Sequence, residues 1–250
     1  MCEYYVVKLG GSLITEKSKP YTLRSQALDE AVGAVAEAYS RGRRIVLVHG
    51  GGSFGHYEVD RIVREKGILY ATDAARVQHA MLKLAKEVIG RLLAAGVPAS
   101  LHPPHTLCSS WPGECFLQPI MRDLSLGLVP VTYGDAIPGH NDDVIIVSGD
   151  DLALSIATYL GRETCIIYVI DKAGIIGRDG RVLSEVSPRS ELMKVESGGF
   201  DVTGGIEKKL STAFEAARRG LRVVVTSVEG MRRIIVEGKP LRGAGTLVKA

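Results

Sequence analysis

RIVLVHGGGSFGH, residues 44–56, is the stretch that decides the expected fold. It begins with a short apolar run rich in β-branched residues, which is typical of a strand buried on both faces of a parallel sheet. Three consecutive glycines, Gly50, Gly51 and Gly52, follow where the strand ends. Because glycine has no Cβ atom, the backbone there can turn sharply and approach an anionic ligand closely. The pattern indicates an open α/β sheet with a ligand site beyond the strand ends.

Strands and helices alternate along the rest of the chain. The apolar runs that predict strands are YYVVKL, RIVLVH, LVPVTY, VIIVSG, TCIIYVI and LRVVVTS. Amphipathic helices are predicted over residues 23–39, 73–95, 150–160 and 206–219, whereas the prolines of residues 102–119 indicate irregular loop and short strands. We therefore expect an α/β fold, an αβα sandwich with an open, mainly parallel central sheet.

Composition narrows the class of protein. A chain of 250 residues with 46% hydrophobic and 24% charged residues can bury one sizeable core, so we expect a single domain over residues 1–250. The formal net charge of +3 is small and its basic residues are scattered, which does not suggest a nucleic-acid partner. No apolar run reaches the roughly 20 residues of a membrane helix, and Met1 leads into a strand without a signal-peptide pattern. The sequence predicts a cytoplasmic protein without a membrane partner.

The four cysteines form no CxxC pair, which argues against a zinc site and against a secreted disulfide framework. We expect small buried side chains with one thiol exposed at most. The residues concerned are Cys2, Cys108, Cys115 and Cys165.

Glycine clusters recur at five predicted strand ends or helix starts. They are KLGGS (8–12), HGGGS (49–53), YGD (133–135), SGDD (148–151) and DVTGGIEKK (201–209). The carboxyl ends of parallel strands meet at one edge of a sheet, and glycine loops with free amides suit phosphate groups. Lys208 and Lys209 stand at a helix start, where a cation opposes the helix dipole, so a bound polyphosphate would explain them. The GxxxxGK[ST] fingerprint is absent.

These motifs carry a family resemblance. KLGGSLIT, HGGGSFGH, VPVTYGD, SGDDLA, DVTGGIEKK and GAGTLV occur in the order found in the amino acid kinase superfamily, and the resemblance covers residues 4–248. GSFGH together with DVTGG resembles the isopentenyl phosphate kinase branch, which phosphorylates isopentenyl phosphate to isopentenyl diphosphate with ATP. The resemblance implies approximate lobes at residues 1–145 for the acceptor phosphate and 146–250 for the nucleotide. It also implies a homodimer.

The resemblance assigns roles residue by residue. Lys8 would bridge the phosphates of ATP and acceptor, Asp150 would position the catalytic lysines, and Lys209 would contact the leaving phosphate. His56 would donate a hydrogen bond to the acceptor phosphate. The ATP-binding residues implied are Lys8, Gly10, Gly11, Ser12, Lys17, Asp171, Gly174, Gly205 and Lys209. Those implied for the acceptor are Gly51, Gly52, Gly55, His56, Ser148 and Gly149.

The chemistry of phosphoryl transfer agrees with these residue types. A phosphate monoester ionises for the second time with a pKa of about 6, so the acceptor is already an oxyanion and needs no general base. The obstacle is repulsion between two polyanions, which lysines, backbone amides and Mg²⁺ held mainly through the ATP phosphates would offset. An imidazole N–H at His56 would distinguish a phosphate acceptor from a carboxylate. For His49, which ends a strand, we expect a structural role.

An isoprenoid tail would need an apolar slot. Val77, Met81 and Leu84 recur at helical spacing and, with Ile146, are candidates for its wall, although such a stripe equally fits core packing. The chain departs from its relatives at Ala173, where the DxDG turn reads DKAG, which leaves the nucleotide base preference open.

Three alternative functions remain open at this stage. They are a fosfomycin-type phosphonate kinase, a carboxylate or carbamate kinase of the same superfamily, and a nucleotide-binding sensor or storage protein that has lost turnover. The combination of Lys8, Asp150 and Lys209 argues against the sensor, because binding alone would tolerate the loss of one of them.

Overall fold

The computed structural model describes residues 2–109, 111, 115–138, 143–177, 179–188 and 204–250, with the backbone alone for residues 204–208. The strands of the described part are β1 (Tyr4–Leu9), β2 (Arg44–His49), β3 (Ala99–Leu101), β4 (Val129–Tyr133), β5 (Asp135–Pro138), β6 (Val144–Val147), β7 (Thr164–Val169), β8 (Glu185–Val186), β9 (Arg222–Thr226) and β10 (Thr246–Val248). The α-helices are α1 (Gly11–Ile14), α2 (Ser25–Ser40), α3 (Gly52–Lys66), α4 (Ala74–Ala94), α5 (Pro104–Leu107), α6 (Gln118–Ser125), α7 (Gly149–Leu160), α8 (Gly204–Arg218) and α9 (Val228–Ile235).

Eight strands form the central sheet in the order β3-β4-β2-β1-β7-β9-β10-β8. All neighbours pair in parallel except β10 and β9, which are antiparallel. The predicted α/β fold with a mainly parallel sheet is confirmed. Because Leu9 of β1 pairs with His49 of β2 and with Val169 of β7, the carboxyl ends of these central strands lie side by side.

The two faces of the sheet carry two separate hydrophobic cores. Alternate residues of a strand point to opposite faces, so Val7 joins the core beneath α2, α4 and α9, and Val6 joins the core beneath α6, α7 and α8. Both residues are fully buried. Burial on both sides explains why the middle of each central strand is apolar, with charged and polar residues near the strand ends.

The run VIIVSG differs from its prediction. Val144–Val147 forms β6, which pairs antiparallel with β5 in a separate two-stranded sheet rather than joining the central one. Ile146 is exposed on this hairpin. An apolar run of four residues carries no sign of which strand it will pair with.

The cysteine prediction is wrong. Cys2 is bonded to Cys165, and Cys108 to Cys115, in two disulfides. The first pair forms because β1 and β7 are neighbours with Tyr5 opposite Cys165, which places residue 2 beside the start of β7. Residues 163 positions apart give no local pattern that would reveal this contact.

Residues 102–119 contain more helix than predicted, since α5 lies within them and α6 begins there. None of the helices in the described part of the chain has the length and apolar composition that crossing a membrane requires.

Candidate active site

Glycine loops from three strand ends approach one another closely at the carboxyl edge of the sheet. A Cβ atom added at Gly50 would lie 2.7 Å from the Gly11 nitrogen, and one added at Gly134 would lie 2.9 Å from the Gly149 nitrogen. Gly52 has a φ of 47°, in the left-handed region that favours glycine. These contacts require glycine on packing grounds, and they bring the loop after β1 against that after β2, and the loop after β4 against the start of α7. The Gly134 N–H donates to the His49 carbonyl at 3.1 Å, which joins the loop after β4 to the end of β2.

Thr15 and Ser53, which the sequence analysis missed, connect the glycine loop after β1 to the one after β2 by hydrogen bonds. The Thr15 hydroxyl donates to the Gly11 carbonyl at 2.7 Å and accepts from the Ser53 N–H at 2.9 Å. Side-chain hydroxyls that satisfy backbone groups near a glycine turn are common, and the threonine in KLGGSLIT was the available signal.

Lys8, Asp150 and Lys209 meet in one buried cluster. Lys8 is the penultimate residue of β1, Asp150 lies in the first turn of α7, and Lys209 lies in α8. The Lys8 Nζ stands 2.8 Å from Asp150 Oδ1, and the Lys209 Nζ donates to both carboxylate oxygens at 2.7 and 2.9 Å. Two lysines separated by about 200 positions thus share one carboxylate.

The cluster carries a net positive charge away from solvent. Lys8 and Lys209 are only 6% and 7% exposed, and two ammonium groups face one carboxylate. Burial raises the pKa of Asp150, but Lys8 and Lys209 outweigh it and bring that pKa down to about 2. Burial and the charge of Lys8 lower the pKa of Lys209. An anion placed here would relieve the repulsion between the two lysines.

Lys209 also lies over an aromatic ring. Its Nζ is 5.1 Å from the centroid of Tyr168, a buried side chain of β7 whose hydroxyl donates weakly to the Asp150 carbonyl at 3.4 Å. Burial, followed by the charges of Asp150 and Asp151, raises the pKa of Tyr168 well above its ordinary value. The neutral ring therefore supports the ammonium group without competing for its proton.

His56 lies in the second turn of α3, where its side chain is exposed. Desolvation, followed by the charge of Lys8, lowers its pKa, with a smaller contribution from Lys17 in the same direction. Asp60 and Asp150 act in the opposite direction. His56 is therefore close enough to Lys8 and Asp150 for their charges to shift its pKa.

His49 is fully buried, and its Nδ1 lies 3.2 Å from the Gly50 carbonyl. Desolvation lowers its pKa to about 4, so it is neutral at ordinary pH. Its ring packs against Tyr133 with the centroids 5.2 Å apart. This placement agrees with the structural role expected for it.

The helix stripe proposed for a tail slot lies in the core. Val77, Met81 and Leu84 are 3%, 1% and 0% exposed, respectively. Met81 also supports the glycine loop from below, because a Cβ atom added at Gly55 would lie 2.6 Å from its sulfur. Ile146 differs from these three, since it is exposed on the β5–β6 hairpin. The three helix residues belong to the hydrophobic core on this face of the sheet.

The residues predicted to bind the acceptor at the start of α7, Ser148 and Gly149, have clear local structural roles. The Ser148 side chain accepts from the Asp151 N–H at 3.2 Å and so caps the helix. A Cβ atom added at Gly149 would lie 3.4 Å from Lys8 Cε and 3.2 Å from the His49 carbonyl. Glycine at this position gives the Lys8 side chain room to reach Asp150.

The predicted ATP-binding residues spread along the same edge. Gly10 follows β1 and its N–H donates to the Val169 carbonyl at 2.8 Å. Asp171 is exposed just after β7, and a Cβ atom added at Gly174 would lie 2.6 Å from Thr246 Oγ1. Gly174 therefore also serves close packing against β10.

Ser12 and Gly205 are two further residues predicted to bind ATP. Ser12 lies in α1 and its carbonyl accepts from Arg24 at 3.0 Å. Gly205 lies in the first turn of α8. Residues 201–203 of the DVTGG motif lie outside the described residues, as does the side chain of Lys208.

Converging lysines, amide-bearing glycine loops and one shared carboxylate at the edge of a parallel sheet define a site for transferring phosphoryl groups. The chain belongs to the amino acid kinase family, whose profile matches residues 3–227.

The relatives narrow this class. An isopentenyl phosphate kinase from Haloferax volcanii is 34% identical over 212 residues, which covers 82% of this chain and 85% of the relative. An isopentenyl phosphate kinase from Methanocaldococcus jannaschii is 26% identical over 232 residues, covering 86% and 88%. A crystal structure of the product complex of T. acidophilum isopentenyl phosphate kinase superposes with a TM-score of 0.77 at 25% identity, over 98% of this chain and 99% of that one. N-acetylglutamate synthase from Neisseria gonorrhoeae shares the fold at 15% identity, with a TM-score of 0.73 over 99% of this chain and 59% of its own.

Proposed function

We propose that this protein transfers the γ-phosphoryl group of ATP to isopentenyl phosphate and forms isopentenyl diphosphate. The observation that carries the proposal is the buried Lys8–Asp150–Lys209 cluster beside the glycine loop of residues 49–56, with His56 near it. Relatives that match more than four fifths of the chain are isopentenyl phosphate kinases, which supports the same acceptor.

The reaction needs charge neutralisation rather than proton removal. An oxygen of the acceptor phosphate attacks the γ-phosphorus in line, a new P–O bond forms, and the bond to the β–γ bridging oxygen breaks to release ADP. Lys8 neutralises negative charge between the two substrates, and Lys209 stabilises the charge that develops on the leaving phosphate. Asp150 holds both ammonium groups at hydrogen-bond distance until the substrates arrive.

His56 is the group proposed to recognise phosphate at the acceptor. Its pKa lies below the ordinary value in the free protein, and a neighbouring phosphate dianion would raise it again. Gly51 and Gly55 give a phosphate access to the backbone, and Met81 fixes their position from below. A carboxylate acceptor would not need a histidine donor at this point.

ATP is the phosphate donor expected of a kinase. Mg²⁺ is proposed to reach the site on the ATP phosphates, where it would offset negative charge on the β- and γ-phosphoryl groups. Lys17 on the loop after α1, and Asp171 and Gly174 after β7, are proposed to contact the nucleotide.

Other properties are proposed on the sequence alone. They are a homodimer, a cytoplasmic location, the two lobes at residues 1–145 and 146–250, and a tail slot at Val77, Met81, Leu84 and Ile146.

The test is an ADP-release assay of the purified protein with ATP and Mg²⁺ over a panel of acceptors. The panel contains isopentenyl phosphate, dimethylallyl phosphate, fosfomycin, carbamate and amino acids. We expect the highest kcat/KM with isopentenyl phosphate, and ³¹P NMR should show a diphosphate product.

Each other result assigns a different function. A preference for fosfomycin would indicate a phosphonate kinase, and a preference for carbamate or an amino acid would indicate an acyl-phosphate-forming kinase. ATP binding by calorimetry without turnover of any acceptor would indicate a sensor or storage protein.

A further inference from the structure

The loop of residues 16–22, here called the lysine loop, leaves the site and returns to it between α1 and α2. An isolated antiparallel bridge between Thr15 and Leu23 closes its base, and the Glu16 N–H donates to the Thr22 carbonyl at 2.9 Å. Lys17 and Lys19 lie on it, and both are exposed. The loop is therefore a short hairpin-like projection that carries two lysines and the carboxylate of Glu16 next to the glycine loop of residues 49–56.

The far side of the lysine loop is attached to α3. The Tyr21 N–H donates to the Ser53 carbonyl at 3.0 Å, and Ser53 Oγ lies 3.3 Å from both the N–H and the carbonyl of Thr22. The Tyr21 hydroxyl donates to the carboxylate of Glu58. The tyrosine ring meets Phe54 and Tyr57 edge-on, with centroids 5.4 and 5.5 Å apart.

Glu58 is an unusual partner, because it is a carboxylate only 4% exposed in the second turn of a helix. Its other oxygen accepts from Arg61 Nη2 at 2.8 Å and lies 3.8 Å from Arg76 Nε. A buried carboxylate is costly unless several donors satisfy it, and the Tyr21 hydroxyl is one of them. The α3 helix thus presents a fixed acceptor to the lysine loop.

The backbone of Tyr21 supports the same conclusion. Its φ of 53° is the one positive φ at a residue other than glycine among the described residues. A tyrosine in the left-handed region costs conformational energy, which persists only where other contacts outweigh it. Here those contacts are the Glu58 hydrogen bond and the two aromatic neighbours.

The lysine loop needs such an attachment because its lysines are repelled by the positive charge of the buried cluster. A Cβ atom added at Gly50 would lie 3.6 Å from the Lys8 Nζ, and the lysine loop is bonded to Ser53 three residues further along. The loop therefore holds its lysines near a buried cation before a substrate binds, and like charges repel. A short loop held only at its base would relieve this repulsion by moving outward. A bond at its far side prevents that movement.

We propose that Tyr21 and Glu58 are positioning residues that hold Lys17 in place for the nucleotide phosphates. The inference rests on the proposed function only in taking Lys17 as a phosphate contact. Tyr21 acts through Lys17 and does not itself touch a substrate.

The test is a double-mutant cycle that combines Tyr21→Phe and Lys17→Ala. The phenylalanine keeps the aromatic packing and removes the hydroxyl alone. We expect Tyr21→Phe to lower kcat/KM for ATP about tenfold and Lys17→Ala to lower it at least as much. In the double variant the loss should equal that of Lys17→Ala, because a hydroxyl that works through Lys17 has nothing left to position.

Two further variants separate positioning from general structure. Tyr57→Phe is the matched control, since it removes the hydroxyl of the neighbouring ring, and we expect kcat/KM within twofold of the wild type. Glu58→Gln keeps an oxygen that can accept from Tyr21, so it should retain more activity than Tyr21→Phe.

Several results would overturn the inference. Losses that add in the double variant, an equal loss in Tyr57→Phe, or an unchanged kcat/KM in Lys17→Ala would each do so. ATP affinities measured by calorimetry for the wild type, the two single variants and the double variant give the same double-mutant cycle without any acceptor. A wild type that turns over no isopentenyl phosphate would refute the proposed acceptor, whereas the ATP affinities would still decide the role of Tyr21.

Discussion

The two ends of the central strands carry ion pairs of the same length and very different character. At the carboxyl edge, Lys8 Nζ and Asp150 Oδ1 are 2.8 Å apart and their side chains are 7% and 13% exposed. At the amino edge, Arg44 Nη1 and Glu3 Oε1 are also 2.8 Å apart, but their side chains are 53% and 51% exposed. Arg222 and Glu163 form a second such pair at 3.0 Å.

The distance between the charged atoms therefore does not determine how strongly an ion pair contributes, because the two pairs differ in their exposure to water. Water screens the outer pairs, which contribute roughly 0–1 kcal/mol each. The buried cluster has been removed from water, so each of its charges depends on the others and on whatever anion binds there. The carboxyl edge of the sheet is therefore suited to binding anions, whereas the amino edge has the weak ion pairs of an ordinary protein surface.

The largest expected effect is on turnover. Lys209→Ala should lower kcat about a thousandfold while the acceptor KM changes little, because the lysine acts on charge that develops during transfer. Arg222→Ala, which removes an exposed cation from the neighbouring strand, should leave kcat within twofold. Steady-state kinetics with isopentenyl phosphate measures both, and an effect of Lys209→Ala confined to acceptor KM would remove it from the leaving phosphate.

Removing the buried carboxylate should come next. Asp150→Asn leaves two buried ammonium groups without their shared counter-charge, so we expect the free energy of unfolding to fall by about 3 kcal/mol. Glu163→Gln makes the same change at the amino edge and should cost less than about 0.5 kcal/mol. Urea denaturation compares the two, and similar losses would contradict the distinction between the edges.

Acid should weaken the cluster with a defined sign. Folding lowers the pKa of Asp150 from 3.8 to about 2, so its contribution is complete above the unfolded pKa and is lost as the pH falls through the folded one. The expected loss between about pH 4 and pH 2 is about 2 kcal/mol. Denaturation across this range should give a flatter pH dependence for Asp150→Asn than for the wild type. Parallel curves would place the stabilisation elsewhere.

His56 is an exposed side chain at the carboxyl edge of the sheet, where the Lys8–Asp150–Lys209 cluster is buried. His56→Ala should lower turnover of isopentenyl phosphate more than tenfold, about 1.4 kcal/mol or more, which is the lower range for a charge-assisted hydrogen bond. His79, exposed on α4, provides the control variant His79→Ala, which should be neutral. Unchanged kinetics in His56→Ala would contradict its role at the acceptor.

Much of the architecture was predictable from the chain. The run YYVVKL matches β1 residue for residue, because a strand buried on both faces is mostly apolar, with Lys8 as the exception near its carboxyl end. Helix α4 was predicted over residues 73–95 and covers Ala74–Ala94, since its apolar stripe follows the helical period. Local periodicity thus fixed most element types.

Apart from the helices missed in residues 102–119, the failures depended on partners distant in sequence. VIIVSG formed a strand but paired with β5 outside the central sheet, and Cys2 found Cys165 only through the pairing of β1 with β7. The Tyr21–Glu58 contact spans 37 positions. None of these partners leaves a mark in its local sequence.

The sequence by itself determined the alternation of strands and helices and placed glycines and lysines at the strand ends, because period and residue chemistry are local properties. Only the tertiary structure decided that Lys8 and Lys209 share Asp150, that Val77, Met81 and Leu84 lie in the core, and that a buried glutamate fastens the lysine loop. Those outcomes depend on which helices pack on which face of the sheet, and this packing joins residues far apart in sequence. The electrostatic energy of a charged side chain depends on its burial, which the packing determines.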